Sequence, residues 1–254
     1  ANADGSNQAS MGIAIADVDG NGFPDKFTTV FSSDTNALHL NVDGRFFEDR
    51  AQQYGLTMIS RPYLGWSCGF FDFDHDGDED LFMVNGHVYP QATLESMDSE
   101  YQQTPLLFER VGARFRKVSP EVGGPWLAQK HRDRNAVFAD LDGDGDIDII
   151  IAELNGPIRV LRNDVVNAQN SALSTQHFLI VELKDDRPGS KNHRGLGSRI
   201  ELTIQNPKST GQNHQTRWLY TGGGFQSSGA TYVHFGLGEL PVDSTLQLTV
   251  VWTD

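Results

Sequence analysis

The chain has 254 residues, of which 38% are hydrophobic and 10% aromatic, and its formal net charge is −14. This composition supplies enough apolar side chains for a folded core and excludes a wholly disordered chain, and the length fits one large all-β domain or two smaller ones. An acidic chain without a basic cluster argues against nucleic acid as a partner, and no apolar run approaches the length of a transmembrane segment.

Three acidic nonapeptides recur along the chain: DVDGNGFPD at 17–25, DFDHDGDED at 72–80 and DLDGDGDID at 140–148. Together they hold 14 of the 34 acidic residues and no Lys or Arg, so the rest of the chain is formally neutral. Carboxylates this close to one another repel. Acidity concentrated in this way favours a few bound cations over a generally solvated acidic surface.

A short apolar strand is predicted on each side of every acidic loop. The segments before the loops are GIAIA, CGFF and NAVFA, and those after them are KFTTVF, LFMVN and IIIAEL. A second pattern then follows in each unit: LHLNVDGRFFED, LLFERVGARFRKV and the shorter IRVLRNDV. Strand, tight polar loop and strand form a hairpin, and about four strands per repeated unit are typical of a β-propeller blade. We therefore predict an all-β fold of partial propeller blades, with a third unit that ends early.

The spacing of the loops indicates an insertion in the second unit. The loops start 55 and then 68 residues apart, and the extra length falls at residues 86–105, where we expect a short helix on a surface excursion. We assign residues 1–164 to the blades and the polar residues 165–176 to a linker. Residues 177–254 contain five alternating segments, HFLIVELK, SRIELTI, TRWLYT, TYVHFGLG and LQLTVVW, which predict a small β-sandwich or barrel.

The two ends of the sequence point to a fragment. The first ten residues, ANADGSNQAS, are polar, have no signal-peptide pattern and are consistent with a processed or clipped start. The last ten, TLQLTVVWTD, stop on a strand-like pattern without a closing turn. We therefore expect that the chain is truncated at one end or both.

The acidic loops have the spacing of a cation site. Positions 1, 3, 5 and 9 of each loop carry side-chain oxygens, position 6 is glycine, which permits the positive φ that coils the chain around an ion, and position 7 offers its backbone carbonyl. The predicted ligands are Asp17, Asp19, Asn21, Phe23 and Asp25 in the first loop, Asp72, Asp74, Asp76, Asp78 and Asp80 in the second, and Asp140, Asp142, Asp144, Asp146 and Asp148 in the third.

Calcium fits this ligand set better than other ions. Calcium takes about 6–8 oxygen ligands, whereas magnesium demands strict octahedral geometry and zinc favours His or Cys. The loops are not EF-hands, because position 12 is Thr28, Met83 or Ile151 in place of glutamate. We expect about three calcium ions, with His75 pointing to solvent; the alternative is a set of solvated acidic turns without metal.

The loop and tail motifs resemble known families. GIAIADVDGNGFPD, GFFDFDHDGDEDLFMVNG and AVFADLDGDGDIDIIIAE resemble FG-GAP/VCBS repeats, the calcium-loop blades of integrin-type β-propellers. RGLGSRIELTI, GGGFQSS, VHFGLG and LTVVW are similar to the ASPIC/UnbV domain, and the combination resembles the cartilage acidic protein 1 family, including its bacterial homologues.

This resemblance implies a secreted, extracellular calcium-binding protein with a propeller of about seven blades. It implies interaction at the matrix or cell surface and no established enzymatic chemistry. Three calcium loops are too few for a closed propeller, so further blades are expected from missing residues or from another chain.

No catalytic motif is evident in the sequence. The eight histidines are scattered, and no metalloprotease helix motif, nucleophile elbow or P-loop is present. TGGGFQSS at 221–228 is expected to be a structural turn, and Cys68 a buried apolar residue. Arg194 and Arg199, and the basic stretch KHRDRN at 130–135, are open to structural ion pairs or to an acidic partner.

Three functions remain open. The favoured one is a non-enzymatic extracellular scaffold or adhesion module, in which calcium rigidifies the blades for a protein or glycan partner. The second is a propeller-based polysaccharide lyase or hydrolase. The third is a self-assembling protein, a homo-oligomer or filament formed through open sheet edges.

Overall fold

The computed structural model describes residues 5, 7–94, 99–164, 176–205 and 212–253. Strands account for 45% of the residues and helices for 7%, so the predicted all-β fold is confirmed. All strand pairs are antiparallel. Among the described residues, no helix is long and apolar enough to cross a bilayer.

The first acidic loop belongs to a four-stranded sheet in the order β1-β2-β3-β4. The strands are β1 (Ser10–Ala16), β2 (Asp25–Val30), β3 (Ala37–Val42) and β4 (Phe46–Asp49). The loop joins β1 to β2, and Asp43 and Gly44 turn the chain from β3 to β4 with φ of 53° and 69°. Two adjacent residues with positive φ are typical of the tight hairpin turn that matches strand twist.

The second and third units repeat this arrangement. The second sheet has the order β5-β6-β7-β8, and the third, as far as the described residues reach, has the order β11-β10-β9. Residues 165–175, shortly after β11, lie outside the described part, so the early end of the third unit stays a prediction. The strands are β5 (Gly65–Phe71), β6 (Asp80–Asn85), β7 (Leu106–Val111), β8 (Arg114–Lys117), β9 (Asp133–Ala139), β10 (Asp148–Glu153) and β11 (Ile158–Leu161).

The helices of this half of the chain are short. They are α1 (Thr57–Ser60), α2 (Pro120–Gly123) and the 3₁₀ turns Pro90–Thr93 and Pro125–Ala128. The 3₁₀ turn at Pro90–Thr93 is the short helical element that was expected in the insertion, of which residues 95–98 lie outside the described part.

The three sheets pack side by side through their first strands, β1, β5 and β9. One hydrophobic cluster joins the first two sheets and a second joins the next two. Buried hydroxyls bridge the same boundaries: Thr29 Oγ1 donates to the Trp66 carbonyl at 2.6 Å, and Ser67 Oγ to the Ala136 carbonyl at 3.2 Å. These bonds satisfy backbone groups that face a neighbouring sheet and cannot reach water.

The described C-terminal region forms two further sheets and a short two-stranded hairpin, β15-β16. Its strands are β12 (His177–Val181), β13 (Arg199–Gln205), β14 (Gln212–Trp218), β15 (Gly222–Gly223), β16 (Ser227–Ser228), β17 (Val233–Gly238) and β18 (Thr245–Val251). β12 pairs with β17, while β14, β13 and β18 form the second sheet, and both sheets contribute to one hydrophobic cluster. All five predicted segments are strands; the predicted linker lies almost wholly outside the described residues.

Candidate metal centres

Each acidic loop gathers three carboxylates at one point. In every loop, ligand oxygens from positions 1, 3 and 9 lie within 4.8 Å of one another. The groups are Asp17, Asp19 and Asp25; Asp72, Asp74 and Asp80; and Asp140, Asp142 and Asp148. All nine are predicted ligands.

The aspartate at position 9 ties the loop to the third strand of its sheet or, in the third loop, to Asn163 just after that strand. Asp25 accepts hydrogen bonds from the Val18 and Asn41 amides, both at 2.7 Å. Its counterparts do the same: Asp80 accepts from the Phe73 and Arg110 amides, and Asp148 accepts from the Leu141 and Asn163 amides. A carboxylate held by two fixed amides is pre-positioned, so little conformational entropy remains to be lost when a cation binds.

The aspartate at position 1 and the residue at position 5 are held by the loop itself. Position 1 accepts from the amide of the position-6 glycine at 2.9–3.0 Å, and those glycines have φ of 80°, 94° and 95°, as predicted. Position 5 accepts from the position-7 amide at 2.8–3.0 Å. The acceptors at position 5 are Asn21, Asp76 and Asp144.

The residues fit a hard divalent cation. Oδ1 of Asp17 and Oδ1 of Asp72 are buried and accept no hydrogen bond within the described ranges. Burial raises the pKa of Asp25 to about 6 and that of Asp80 to about 9, and raises the pKa of Asp72 well above its ordinary value. Carboxylates that lose water without gaining a positive partner are costly, and an oxygen-binding dication at this point removes that cost.

At position 7, the side chains of Asp78 and Asp146 contact residues outside their own loops. Asp78 pairs with Arg110 at 3.4 Å, and the Asp146 carboxylate lies 3.2 Å from His75 Nε2. These side chains are occupied, so any contribution of position 7 to an ion falls to its backbone carbonyl. The ligand roles of Phe23, Asp78 and Asp146 stay predictions.

His75 does not point to solvent, and that expectation was wrong. Its side chain is fully buried, and its backbone has a φ of 62°. The same position 4 has positive φ in the other loops, where it is Gly20 and Gly143. A non-glycine residue in this conformation costs about 1–2 kcal/mol, so tertiary contacts must hold His75 in place. The sequence signal was present: glycine at position 4 of the other two loops marks a left-handed position.

The C-terminal region covers the second loop. Gly238 donates from its amide to the His75 carbonyl at 2.8 Å, and Arg217 Nη2 donates to the Gly77 carbonyl at 3.3 Å. Arg217 also pairs with Glu79 at 3.2 Å, with both side chains only 10% exposed. A loop residue and a residue about 140 positions later thus form a nearly buried ion pair, which sequence patterns did not indicate.

The third loop is covered in the same way. The Asp140 amide donates to the Tyr232 hydroxyl at 2.6 Å. The Phe178 ring contacts His75 edge-on and stacks on His234, with centroid distances of 5.5 and 5.9 Å. A Cβ added to Gly145 would lie 2.0 Å from Phe178, so β12 lies directly against this loop. Aromatic rings and imidazoles from both halves of the chain therefore fill the space between the second and third loops.

This packing makes the covered loops sensitive to acid. Burial, together with the neighbouring His75 and Arg217, lowers the pKa of His234 to about 3. A histidine that is neutral in the fold and titrates at about 6.5 when unfolded costs stability as the pH falls below 6.5. We expect the calcium-loaded protein to lose about 1.4 kcal/mol of unfolding free energy through this group at one pH unit below 6.5.

Urea unfolding of the wild type and of His234→Phe at pH 7.5 and 5.5, both in excess calcium, measures this loss. The variant keeps the apolar stack on Phe178 but has no titrating ring, so its stability should change less between the two pH values. An equal loss in both proteins would contradict the assignment of acid sensitivity to His234.

A cavity of about 160 Å³ lies between the first strands of the sheets and the C-terminal region. Its polar lining includes Glu79, Arg217 and Tyr220. Arg217 pairs with Glu79, and the Tyr220 hydroxyl donates to the Ile15 carbonyl at 2.8 Å. Typical small-molecule pockets span about 300–1,000 Å³. This cavity is smaller than that range, and the contacts of its polar groups join the C-terminal region to the first two sheets.

Other residues singled out in the sequence have structural contacts. Cys68 is buried, as predicted, and burial raises the pKa of its thiol. Arg199 pairs with Glu201 at 2.9 Å, and Arg194 donates to the Thr231 hydroxyl.

The glycine-rich stretch 221–228 is a structural turn, as expected. It forms the β15–β16 hairpin, and Gly224 bonds to Ile13 on the first strand of the chain. This hairpin therefore docks the C-terminal region against the first sheet.

Comparison with known families supports this architecture. The model of the FG-GAP-like repeat matches residues 17–83, which include the first two acidic loops, and FG-GAP repeats are typical of extracellular proteins. The model of the ASPIC and UnbV family matches residues 188–254. A search of curated proteins finds no match. The chain is thus similar to FG-GAP-like repeats over its first two acidic loops and to the ASPIC and UnbV family at residues 188–254.

Proposed function

We propose that this protein is an extracellular, non-enzymatic calcium-binding scaffold. The observation that carries the proposal is the threefold repetition of one geometry: positions 1, 3 and 9 converge, and position 9 is fixed by two amides in every loop. Identical placement in three separate sheets supports one shared ligand over three unrelated acidic turns.

Calcium would act by joining parts of the chain that otherwise repel. In each loop it would neutralise three carboxylates, one of which is already bonded to the third strand of the sheet or to the residue shortly after it. The first and third strands are thereby fastened through one ion. The ions bound in the second and third loops would also stiffen the surface on which the C-terminal region lies.

The wider architecture is part of this proposal. The three sheets are blades of an integrin-like β-propeller over residues 1–164, joined by a linker at 165–176 to an ASPIC/UnbV-like domain at 177–254. Both family matches support a relationship to the cartilage acidic protein 1 family, and with it secretion and binding of a protein or glycan at the matrix or cell surface.

Direct counting of calcium tests the proposal. Equilibrium dialysis of the wild type should give about three calcium ions per chain, with binding unchanged by excess magnesium. Asp25→Asn, Asp80→Asn and Asp148→Asn should each remove one ion or weaken its binding at least about tenfold. Asp43→Asn, in an exposed turn outside the loops, is the matched control.

Binding of no calcium, or unchanged binding in all three loop variants, would contradict the proposal.

Self-assembly is a second candidate, because the edge strand β18 exposes Leu246, Leu248 and Val251 by 39–45%. Exposed apolar edge strands are templates for pairing with another chain. Light scattering of the dialysed samples measures this directly, since an assembly would show a mass above that of one chain.

A further inference from the structure

A fourth cluster of ligand atoms lies outside the acidic loops. Donor atoms of His131, Asp133 and Glu153 fall within 4.8 Å of one another. Asp133 begins β9 and pairs with Glu153 at the end of β10, while His131 is fixed just before β9 by two backbone bonds to Gln103. The sheet register therefore builds this cluster, at the opposite end of β9 and β10 from the third acidic loop.

Two of the three side chains are buried and have ligand atoms without a hydrogen-bond partner among the described residues. Asp133 is 0% exposed, and within the described part of the chain neither of its oxygens forms a hydrogen bond. His131 is 8% exposed, and its Nε2 has no partner among the same residues. A buried carboxylate without a hydrogen bond is among the most costly groups in a protein interior, so these atoms point to a ligand.

The third side chain is oriented by arginines. Glu153 is paired with Arg132 at 3.1 Å and with Arg159 at 2.6 Å, and its side chain is 5% exposed. A carboxylate has about four lone-pair positions, so these contacts leave acceptor capacity. Hydrogen bonds to a carboxylate from outside are the usual way in which proteins orient a metal ligand. The two arginines bond directly to Glu153, whereas Asp133 forms no hydrogen bond within the described ranges.

The neighbouring aromatic residue fixes the imidazole. The Trp126 and His131 rings are stacked, with centroids 3.8 Å apart and planes 9° from parallel. Trp126 is itself covered by Arg159, whose guanidinium lies 4.9 Å from the ring centroid. Trp126 and Arg159 are partly exposed, so the cluster lies one side chain beneath the surface.

We propose that His131, Asp133 and Glu153 bind a transition-metal dication, with Zn²⁺ as the best match. One imidazole nitrogen and two carboxylate oxygens are zinc-type donors, whereas the all-oxygen acidic loops suit calcium. Three protein ligands leave a further coordination position for water. The site is separate from the calcium loops and shares no residue with them.

Zinc retention in the presence of calcium tests the assignment. The full chain is dialysed against micromolar Zn²⁺ with millimolar calcium to fill the loops, and bound zinc is measured by elemental analysis. We expect one zinc per wild-type chain and at least tenfold weaker binding in His131→Gln and Asp133→Asn. His214→Gln, at an exposed histidine bonded to Thr203, is the matched control and should retain zinc.

Equal zinc retention in the wild type and both cluster variants, or none in the wild type, would overturn the proposal. A spectroscopic measurement on the wild type keeps the test valid if a variant fails to fold. Co²⁺ added in excess calcium should produce the intense visible absorption of a low-coordinate, nitrogen-bound ion and quench the fluorescence of Trp126. Trp126→Phe should lose that quenching while keeping the absorption; a weak hexahydrate-like spectrum would contradict the site.

Discussion

Removal of calcium by a chelator should lower the melting temperature by roughly 15–30 °C. A ligand at about 100 times its dissociation constant stabilises the folded state by about 2.7 kcal/mol per site, so three sites contribute about 8 kcal/mol. For chains of about 150–250 residues, each kcal/mol shifts the melting temperature by about 2–4 °C. The buried carboxylates increase the effect, because chelation leaves Asp72 and Asp80 without a cation.

Differential scanning calorimetry in millimolar calcium and in chelator measures this shift. Magnesium in place of calcium should restore little of it, because magnesium retains its water and requires octahedral geometry. Asp80→Asn should show a smaller difference between the two conditions than the wild type. A melting temperature that is the same with calcium and with chelator would leave the loops as acidic turns and would contradict the proposed function.

Replacing Gly236 with alanine should destabilise the calcium-loaded protein by about 3 kcal/mol, the upper part of the usual range for overpacking. A Cβ at this position would lie 2.0 Å from Asp72 Oδ2 and 2.6 Å from His75 Cα. Neither neighbour can move easily, since Asp72 is a predicted calcium ligand and His75 is buried. The substitution should therefore push β17 away from the second loop and weaken calcium binding there.

Urea unfolding of Gly236→Ala in excess calcium gives the free energy, and calcium dialysis gives the loss at the second loop. Gly229→Ala is the matched control: no heavy atom lies within 4 Å of its added Cβ, so its effect should stay within about 0.5 kcal/mol. Wild-type stability in Gly236→Ala would show that β17 does not lie against the loop in solution.

The local parts of the structure were predictable from sequence. Apolar segments flanking polar loops predicted the hairpins, and the spacing of oxygen donors predicted the carboxylate groups around Asp25, Asp80 and Asp148. The members of each carboxylate group lie less than ten positions apart, and the two strands of each hairpin directly flank the acidic loop. Periodicity and turn chemistry act over these short separations.

The long-range parts were not predictable in this way. His75 was expected in solvent because nothing nearby in sequence indicates Phe178 and His234, which bury it. The His131 cluster was missed for a related reason. Its members span two strands, and only the register that pairs Asp133 with Glu153 brings them together. The sequence does carry one overlooked cue, the concentration of His131 and Asp133 within KHRDRN.

The cover over the second and third loops also sets an order of assembly. β17 meets the second loop, which is complete at Asp80 about 150 residues earlier in the chain, and β12 meets the third loop, which is complete at Asp148 about 30 residues earlier. During synthesis, the hairpins can form while the segment that covers them is still missing. Until it arrives, the His75 ring and the apolar faces around it remain open to solvent. A chain interrupted before β12 would therefore display a surface that the finished protein hides.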